Sequence, residues 1–237
     1  MKDIHSHLLY GVDDGSKTLA ESIELIKGLI NKGVTDIILT PHYISNSSYN
    51  IDNQEKQKRF KEIKAEVKKL KLDIKLYLGN EISLDEKINT NLKKGNIKSI
   101  NNTKYLLIEL PFYGKHQNQE AILIDLITQG YRIILAHPER YRYLELEELE
   151  SLKKHGIYLQ GNLKSIIKVH GRFAKKRLKE LLKKDMIDFL SLDCHRQTDL
   201  LFIDKSLKKL KKIIKEERLN ELLNDNFDLI IKNKKKG

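Results

Sequence analysis

Two histidines one residue apart, His5 and His7 in MKDIHSHLLYGVDDG, stand close before the acidic turn Asp13-Asp14-Gly15. In an extended segment residues i and i+2 point to the same side, so His5 and His7 can reach one metal ion together. Asp193 and His195 repeat the device near the other end of the chain. Between these pairs, His42, Glu81, Glu109 and His137 each close a short apolar run, and Asp14 in the first loop brings the candidate ligands to nine. Carboxylates placed behind LYLG and YLLI, as Glu81 and Glu109 are, carry a large desolvation cost unless paired or metal-bound. Mixed imidazole and carboxylate ligation suits borderline ions such as manganese, iron or zinc better than a thiolate site does, and four carboxylates are enough to hold more than one ion. A cluster of that kind activates water and neutralises phosphoryl oxygens, which makes hydrolysis the natural reaction class. Singly, each residue has an ordinary reading: a lone strand-end histidine is more often hydrogen-bonded than metal-bound, and Asp14 before Gly15 can simply make a turn. Their joint placement is what favours a site. His116, His155 and His170 lie away from the strand ends and are assigned no chemistry.

The elements that would gather these residues are short β-rich runs: KDIHSH (2–7), DIILTPH (36–42), IKLYLGNE (74–81), YLLIEL (105–110), RIILAHPE (132–139), GIYLQGN (156–162) and IDFLSLDCH (187–195). Helical patterns separate them, among them 19–33 and 121–130, which end in Gly33 and Gly130 as C-terminal caps. Buried strands alternating with helices predict parallel βαβ units, and seven of them suggest a closed or nearly closed α/β barrel. In such a barrel the C-terminal strand ends form one face, so ligands more than a hundred residues apart would converge. No linker or internal repeat divides the chain, and the expectation is a single domain over 1–237, with 196–237 a C-terminal helical region carrying a basic tail.

Composition narrows the class. The single cysteine, Cys194, excludes an intrachain disulfide and fits a reducing cytoplasm. No signal-like segment opens the chain, and no stretch approaches the roughly 18 apolar residues of a membrane helix. Forty-five basic against 33 acidic residues give a net charge of +12, a balance suited to an anionic partner. The lysines of 61–75 and 206–219, however, are interleaved with glutamates and spaced apolar residues, as on solvated helix faces, and lack the stacking aromatics of a single-strand binder. Stable nucleic-acid binding is not expected. A cysteine-dependent phosphatase would need an arginine six residues after its thiolate, where this chain has Leu200.

Taken in order, HSHLLYGVDDG, TPHY, GNE, IEL, AHPERY, QGN and SLDCH resemble the PHP-family metal phosphatases, specifically the bacterial CpsB/YwqE-type protein-tyrosine phosphatases that regulate capsular and extracellular polysaccharide export. The likeness spans roughly 1–195. It implies a distorted (β/α)7 barrel holding three divalent ions, commonly manganese, with iron or zinc as alternatives. By analogy His5, His7, Glu81 and Asp193 would hold one ion, Glu81, Glu109 and His137 a second, and Asp14, His42 and His195 a third. Arg140 matches the arginine that binds substrate phosphate, to which a guanidinium is shaped for bidentate contact. The family's second arginine is missing where Leu200 stands, and Arg196, directly after His195, is the candidate for its role. The implied reaction is attack by a metal-bridging hydroxide on phosphotyrosine. The implied partner is a membrane-associated bacterial tyrosine kinase, met by an enzyme that does not itself span the membrane. Rival readings are a phosphoesterase acting on a small metabolite such as histidinol phosphate or on nucleic acid, and a basic binding module with structural metals.

Overall fold

A computed structural model describes residues 1–232. Its strands are β1 (Lys2–Ser6), β2 (Asp36–Leu39), β3 (His42–Tyr43), β4 (Lys75–Leu78), β5 (Glu81–Ser83), β6 (Tyr105–Glu109), β7 (Arg132–Ala136), β8 (Tyr158–Asn162) and β9 (Phe189–Ser191). They are the seven expected runs, two of them interrupted. The second run breaks at Pro41, which has no N–H for the ladder, and resumes at His42. The third breaks at Gly79-Asn80, where the Gly79 amide turns to Leu39 O and an added Cβ would meet the Ile100 backbone at 3.1 Å. The seventh is a ladder only as far as Ser191. Beyond it the chain turns at Asp193, whose φ of 49° is left-handed, so Asp193 and His195 do not share a strand as their spacing predicts.

All pairings are parallel, in the orders β1-β2-β4 and β3-β5-β6-β7-β8-β9. A bridge between Ser6 and Cys194, with Asp193 N donating to His5 O and His7 N to Cys194 O, ties β1 to the end of β9. Between β4 and β6 no ladder forms among the described residues, and the 3-10 turn Ile100–Asn102 packs there instead. The wall is therefore a distorted barrel with one seam.

The main helices are α1 (Leu19–Asn31), α2 (Asn53–Lys69), α3 (Ile88–Lys93), α4 (Gln119–Thr128), α5 (Leu146–Lys154), α6 (Gly171–Lys183), α7 (Leu200–Leu210), α8 (Glu216–Asn220) and α9 (Asn226–Lys232). Thr18 caps α1 by accepting from Glu21 N, while the Glu21 carboxylate accepts from Lys17 N, which satisfies donors the first turn leaves open. In α6, Ala174, Leu178, Leu181 and Leu182 are buried, the spacing of one helix face. The 206–219 run is not one helix, because the chain turns between Lys211 and Lys215. The basic tail 233–237 lies outside the described residues.

Alternation along the strands sorts the interior. Leu106, Ile108, Ile133, Leu135 and Leu159 pack outward with helix residues such as Leu126, Leu149 and Leu178 in the large core. Tyr105, Leu107, Ile134, Ala136 and Phe189 form a second cluster, joined by Phe227 and Ile230 of α9. The faces bearing Tyr105 and Leu107 on β6, and Tyr158 on β8, continue to Glu109, Gln160 and Asn162 two residues apart. One end is thus an apolar floor closed by α9, and the other presents polar groups at the strand ends.

Candidate metal centre

Glu81 is the hub of that polar end. Fully buried on β5, it places Oε2 3.1 Å from His5 Nε2, 3.2 Å from His7 Nε2 and 3.0 Å from His42 Nδ1, and Oε1 3.0 Å from His137 Nε2. Glu109 lies 3.5 Å from the same His137 nitrogen. Asp193 Oδ1 is 3.6 Å from His5, 3.5 Å from His7 and 3.4 Å from His195. Asp14 Oδ1 is 3.4 Å from His195 Nε2 and 3.6 Å from His42 Nε2. All nine candidates thus meet in one cluster, though the strand rule alone would have missed how: His137 and Asp193 are turned in by left-handed backbone, φ 35° and 49°. Non-glycine residues in that region cost about 1–3 kcal/mol each and persist where the surroundings hold them.

Three groups offer ligand atoms close enough to share an ion: His7, Asp14, His42 and His195; His5, His7 and Glu81; and His42, Glu81 and Glu109. All three differ from the partition implied by the resemblance: His7 also joins the Asp14 group, Asp193 is absent from the His5 group, and His42 stands with Glu81 and Glu109 in place of His137. His7 stacks on His195 at 3.9 Å and lies tilted against His42 at 4.5 Å between ring centroids, while His42 Nδ1 reaches Glu81 Oε2 at 3.0 Å.

The donor chemistry fits cations. His7 Nδ1 is 2.8 Å from Asp13 Oδ2, an oxygen that only accepts, so Nδ1 carries the proton and Nε2 turns its lone pair inward. His195 likewise sets Nδ1 against Asp193 O at 3.1 Å. His5 Nδ1 meets Gln160 Oε1 at 2.9 Å, and His5 Nε2 then faces His7 Nε2 across 3.2 Å. Ring nitrogens and carboxylate oxygens pointed at one another are what positive ions hold together. Asp14 Oδ1, His42 Nδ1 and His137 Nδ1 are buried without a hydrogen-bond partner among the described residues.

The electrostatics show the cluster's demand for positive charge, which protons on the imidazoles meet where an ion would. Burial opposes charge on His5, yet Glu81 and Asp193 lift it to about 9, and Asp13 and Glu81 lift His7 well above its ordinary range against the same penalty. Burial would raise Glu81, but His5 and His42 hold it well below the carboxylate range. Glu109 goes the other way, raised to about 9 by burial and then by Glu81. His137 is lowered to about 4 by burial and by Arg140.

Asp13 does two jobs: Oδ2 also accepts from His42 N at 3.0 Å, and Oδ1 accepts from Gly15 N at 2.9 Å. Gly15 is required there, since a Cβ would fall 2.0 Å from His7 O. Asn162 donates to Asp193 Oδ2 at 2.7 Å, and Lys164 Nζ bridges Asp193 O and Asp199 Oδ1, both at 2.8 Å. QGN ends a strand run and belongs to the motifs that carry the resemblance, but neither its spacing nor that of LKS assigns Asn162 or Lys164 a supporting role.

At the rim, Arg140 lies 3.6 Å from Asp193 Oδ2 and 4.5 Å above the Phe112 ring, which itself stacks on His137 at 17°. Its neighbour Glu139 is not its partner, being buried and accepting from Ser165 Oγ and Asn162 N. Ser165 also meets His170 Nδ1 at 2.8 Å, and Arg140 is second only to burial in lowering His170 to about 3, which puts this histidine beside the site. His116 and His155 make only local backbone contacts. Arg196 is exposed, and among the described residues its guanidinium forms no ion pair with the nine; its backbone N is held by Asp199. Cys194 is buried, its thiol pushed up by burial, with Sγ toward Arg196 O.

A parallel α/β barrel with imidazoles and carboxylates gathered at its strand ends defines the class of metal-dependent barrel hydrolases. Comparison with known proteins makes this specific. The family model for capsular polysaccharide synthesis proteins, CpsB/CapC, matches residues 1–232. The chain is 34% identical to CapC of Staphylococcus aureus, over 91% of this chain and 86% of that one. It is 32% identical to the tyrosine-protein phosphatase YwqE of Bacillus subtilis, over 98% and 92%. A solved structure, from work on YwqE and the CpsB of Streptococcus pneumoniae as metal-dependent tyrosine phosphatases, superposes with a TM-score of 0.90 at 29% identity, covering 99% of this chain and 95% of that one. The chain belongs to the CpsB/CapC family.

Proposed function

We propose that this protein is a metal-dependent protein-tyrosine phosphatase. The observation that carries the reading is the gathering of seven candidate ligands into groups that could share an ion, with His137 and Asp193 in contact with them and Arg140 held over Phe112 at the rim. His5, His7, Asp14, His42, Glu81, Glu109, His137, Asp193 and His195 would hold three divalent ions, manganese foremost. When bound, such ions supply Lewis-acid charge to the phosphoryl oxygens and activate water for attack on phosphorus. Asp13, Gln160 and Asn162 orient His7, His5 and Asp193. Arg140 binds phosphate oxygens in a bidentate fork, and the exposed Arg196, directly after His195, is the second candidate for phosphate contact. The Phe112 ring, packed against Arg140 and His137 and 37% exposed, leaves its uncovered apolar part beside the phosphate position, suited to the aryl group of phosphotyrosine. A tyrosine leaves as a phenolate whose conjugate acid has a pKa of about 10, so little proton donation is required.

The natural substrate in this reading is a phosphotyrosine protein, a membrane-associated bacterial tyrosine kinase of polysaccharide export, met in the cytoplasm. Among the described residues no helix is long and apolar enough to cross a membrane. The test is a substrate panel with manganese supplied: phosphotyrosyl peptide, histidinol phosphate and oligonucleotide. Turnover of the phosphotyrosyl peptide, weakened through KM in Phe112→Ala, supports the reading; preference for either of the others overturns it.

A further inference from the structure

Between α7 and the turn that follows β8 runs a groove of about 330 Å³ lined by Lys168, Lys175, Lys205, Lys208, Lys209 and Lys212. Its floor is Ile166 and Ile167 with the lysine stems. Lys205, Lys208, Lys209 and Lys212 fall at i, i+3, i+4 and i+7, one face of α7 carried into the next turn. The nearby acids are committed elsewhere. Asp204, the single acid of α7, pairs with Lys32; Asp199 pairs with Lys164, and Glu180 with Arg177. The crowding is felt at Lys175, whose ammonium is lowered by desolvation and then by Lys168, Lys209 and Lys179.

The groove and the site share one structural element. Its floor belongs to the turn Leu163–Ile167, in which Lys164 holds Asp193 O and Ser165 holds Glu139. Its other wall, α7, begins five residues after His195, with Leu201 75% exposed one turn before Lys205. Lys205 to Lys209 spans roughly 6 Å of helix axis, about two residues of extended chain, and Lys212 lies in the turn just beyond.

We propose that this groove docks an acidic segment of the phosphoprotein substrate in extended form, next to the phosphotyrosine that enters the metal centre. The proposal rests on the phosphatase reading. A concave channel with an apolar floor and unneutralised walls fits a single peptide strand, whereas a bilayer surface meets flat or protruding faces; the charge selects acidic side chains.

The test compares the manganese-loaded enzyme with a Lys205→Glu/Lys208→Glu/Lys212→Glu variant whose folding is checked by its melting curve. Substrates are a phosphotyrosyl peptide flanked by six Asp/Glu residues, the same peptide with Ser/Gly flanks, and p-nitrophenyl phosphate. The wild type is expected to prefer the acidic peptide by about tenfold in kcat/KM at low salt, with the preference collapsing at high salt. The variant should lose that preference through KM and keep p-nitrophenyl phosphate turnover within about twofold. A preference that survives the substitutions, or an equal loss on all three substrates, overturns the proposal. So does a variant that loses only binding to phosphatidylglycerol vesicles or to RNA. Anisotropy of the labelled, unphosphorylated acidic peptide separates docking from catalysis. If no phosphotyrosyl substrate turns over, the phosphatase reading fails, and peptide binding unchanged by the substitutions overturns the groove independently.

Discussion

Asp13 binds no metal in this account, yet Asp13→Asn should weaken metal binding markedly. One carboxylate oxygen serves His7 Nδ1 at 2.8 Å and His42 N at 3.0 Å, while the other accepts from Gly15 N at 2.9 Å. An amide has one acceptor oxygen. If it faces His7 and His42, its NH2 opposes the Gly15 N–H, and a charge-assisted bond to His7 becomes a neutral one. The unsatisfied donor costs about 1–3 kcal/mol of stability, a drop of a few degrees to about ten in Tm at this chain length. His7 also loses the anion that orients it and raises its basicity. Support of that kind is worth about 10–100-fold in metal affinity, or about 1.4–2.7 kcal/mol. Competition of stripped protein against a chromophoric chelator reads the affinity directly, and the melting curve reads the stability. A folded Asp13→Asn protein that binds manganese within twofold of wild type would refute the reasoning.

Arg140→Ala should retain its metals while kcat/KM on an aryl phosphate falls about 10²–10³-fold; elemental analysis with kinetics checks both, and normal turnover removes Arg140 from the mechanism. Cys194→Ser should keep most activity, because the thiol is buried and faces Arg196 O; loss of all turnover in a folded, metal-loaded variant contradicts this. Burial lowers Lys56 to about 8, below the roughly 10.4 of an unfolded lysine. Between these values the unfolded chain binds more protons, so stability should rise with pH from about 8 to 10.4. The charged form costs on the order of 3 kcal/mol at neutral pH. Lys56→Met should therefore raise Tm at pH 7 and flatten the pH slope seen in urea unfolding, and an unchanged slope would count against it.

The strand ends were legible because apolar runs and their terminal polar residues follow simple periodicities: His5, Glu81 and Glu109 sit where alternation puts them. His137 and Asp193 were found by residue type, but their reach depends on left-handed turns that no periodicity predicts. The breaks at Pro41 and Gly79-Asn80 come from local backbone chemistry that a continuous apolar run conceals. Which of these side chains lie close enough to share an ion depends on how the rings of His7, His42 and His195 pack, which only the three-dimensional fold decides. Gln160, Asn162 and Phe112 were invisible as functional residues, since amides and a loop aromatic carry no spacing signal. The lysines of α7 looked like a solvated face until the fold set them opposite Lys168 and Lys175.

Phosphate release from a phosphotyrosyl peptide by chelator-stripped protein, followed as manganese is titrated back and bound metal is counted, bears on the central claim most directly. The account predicts no turnover when stripped, recovery as the sites fill, and more than one ion per chain at full activity. Turnover that persists in the stripped protein, or full metal loading without any phosphate release, would contradict it.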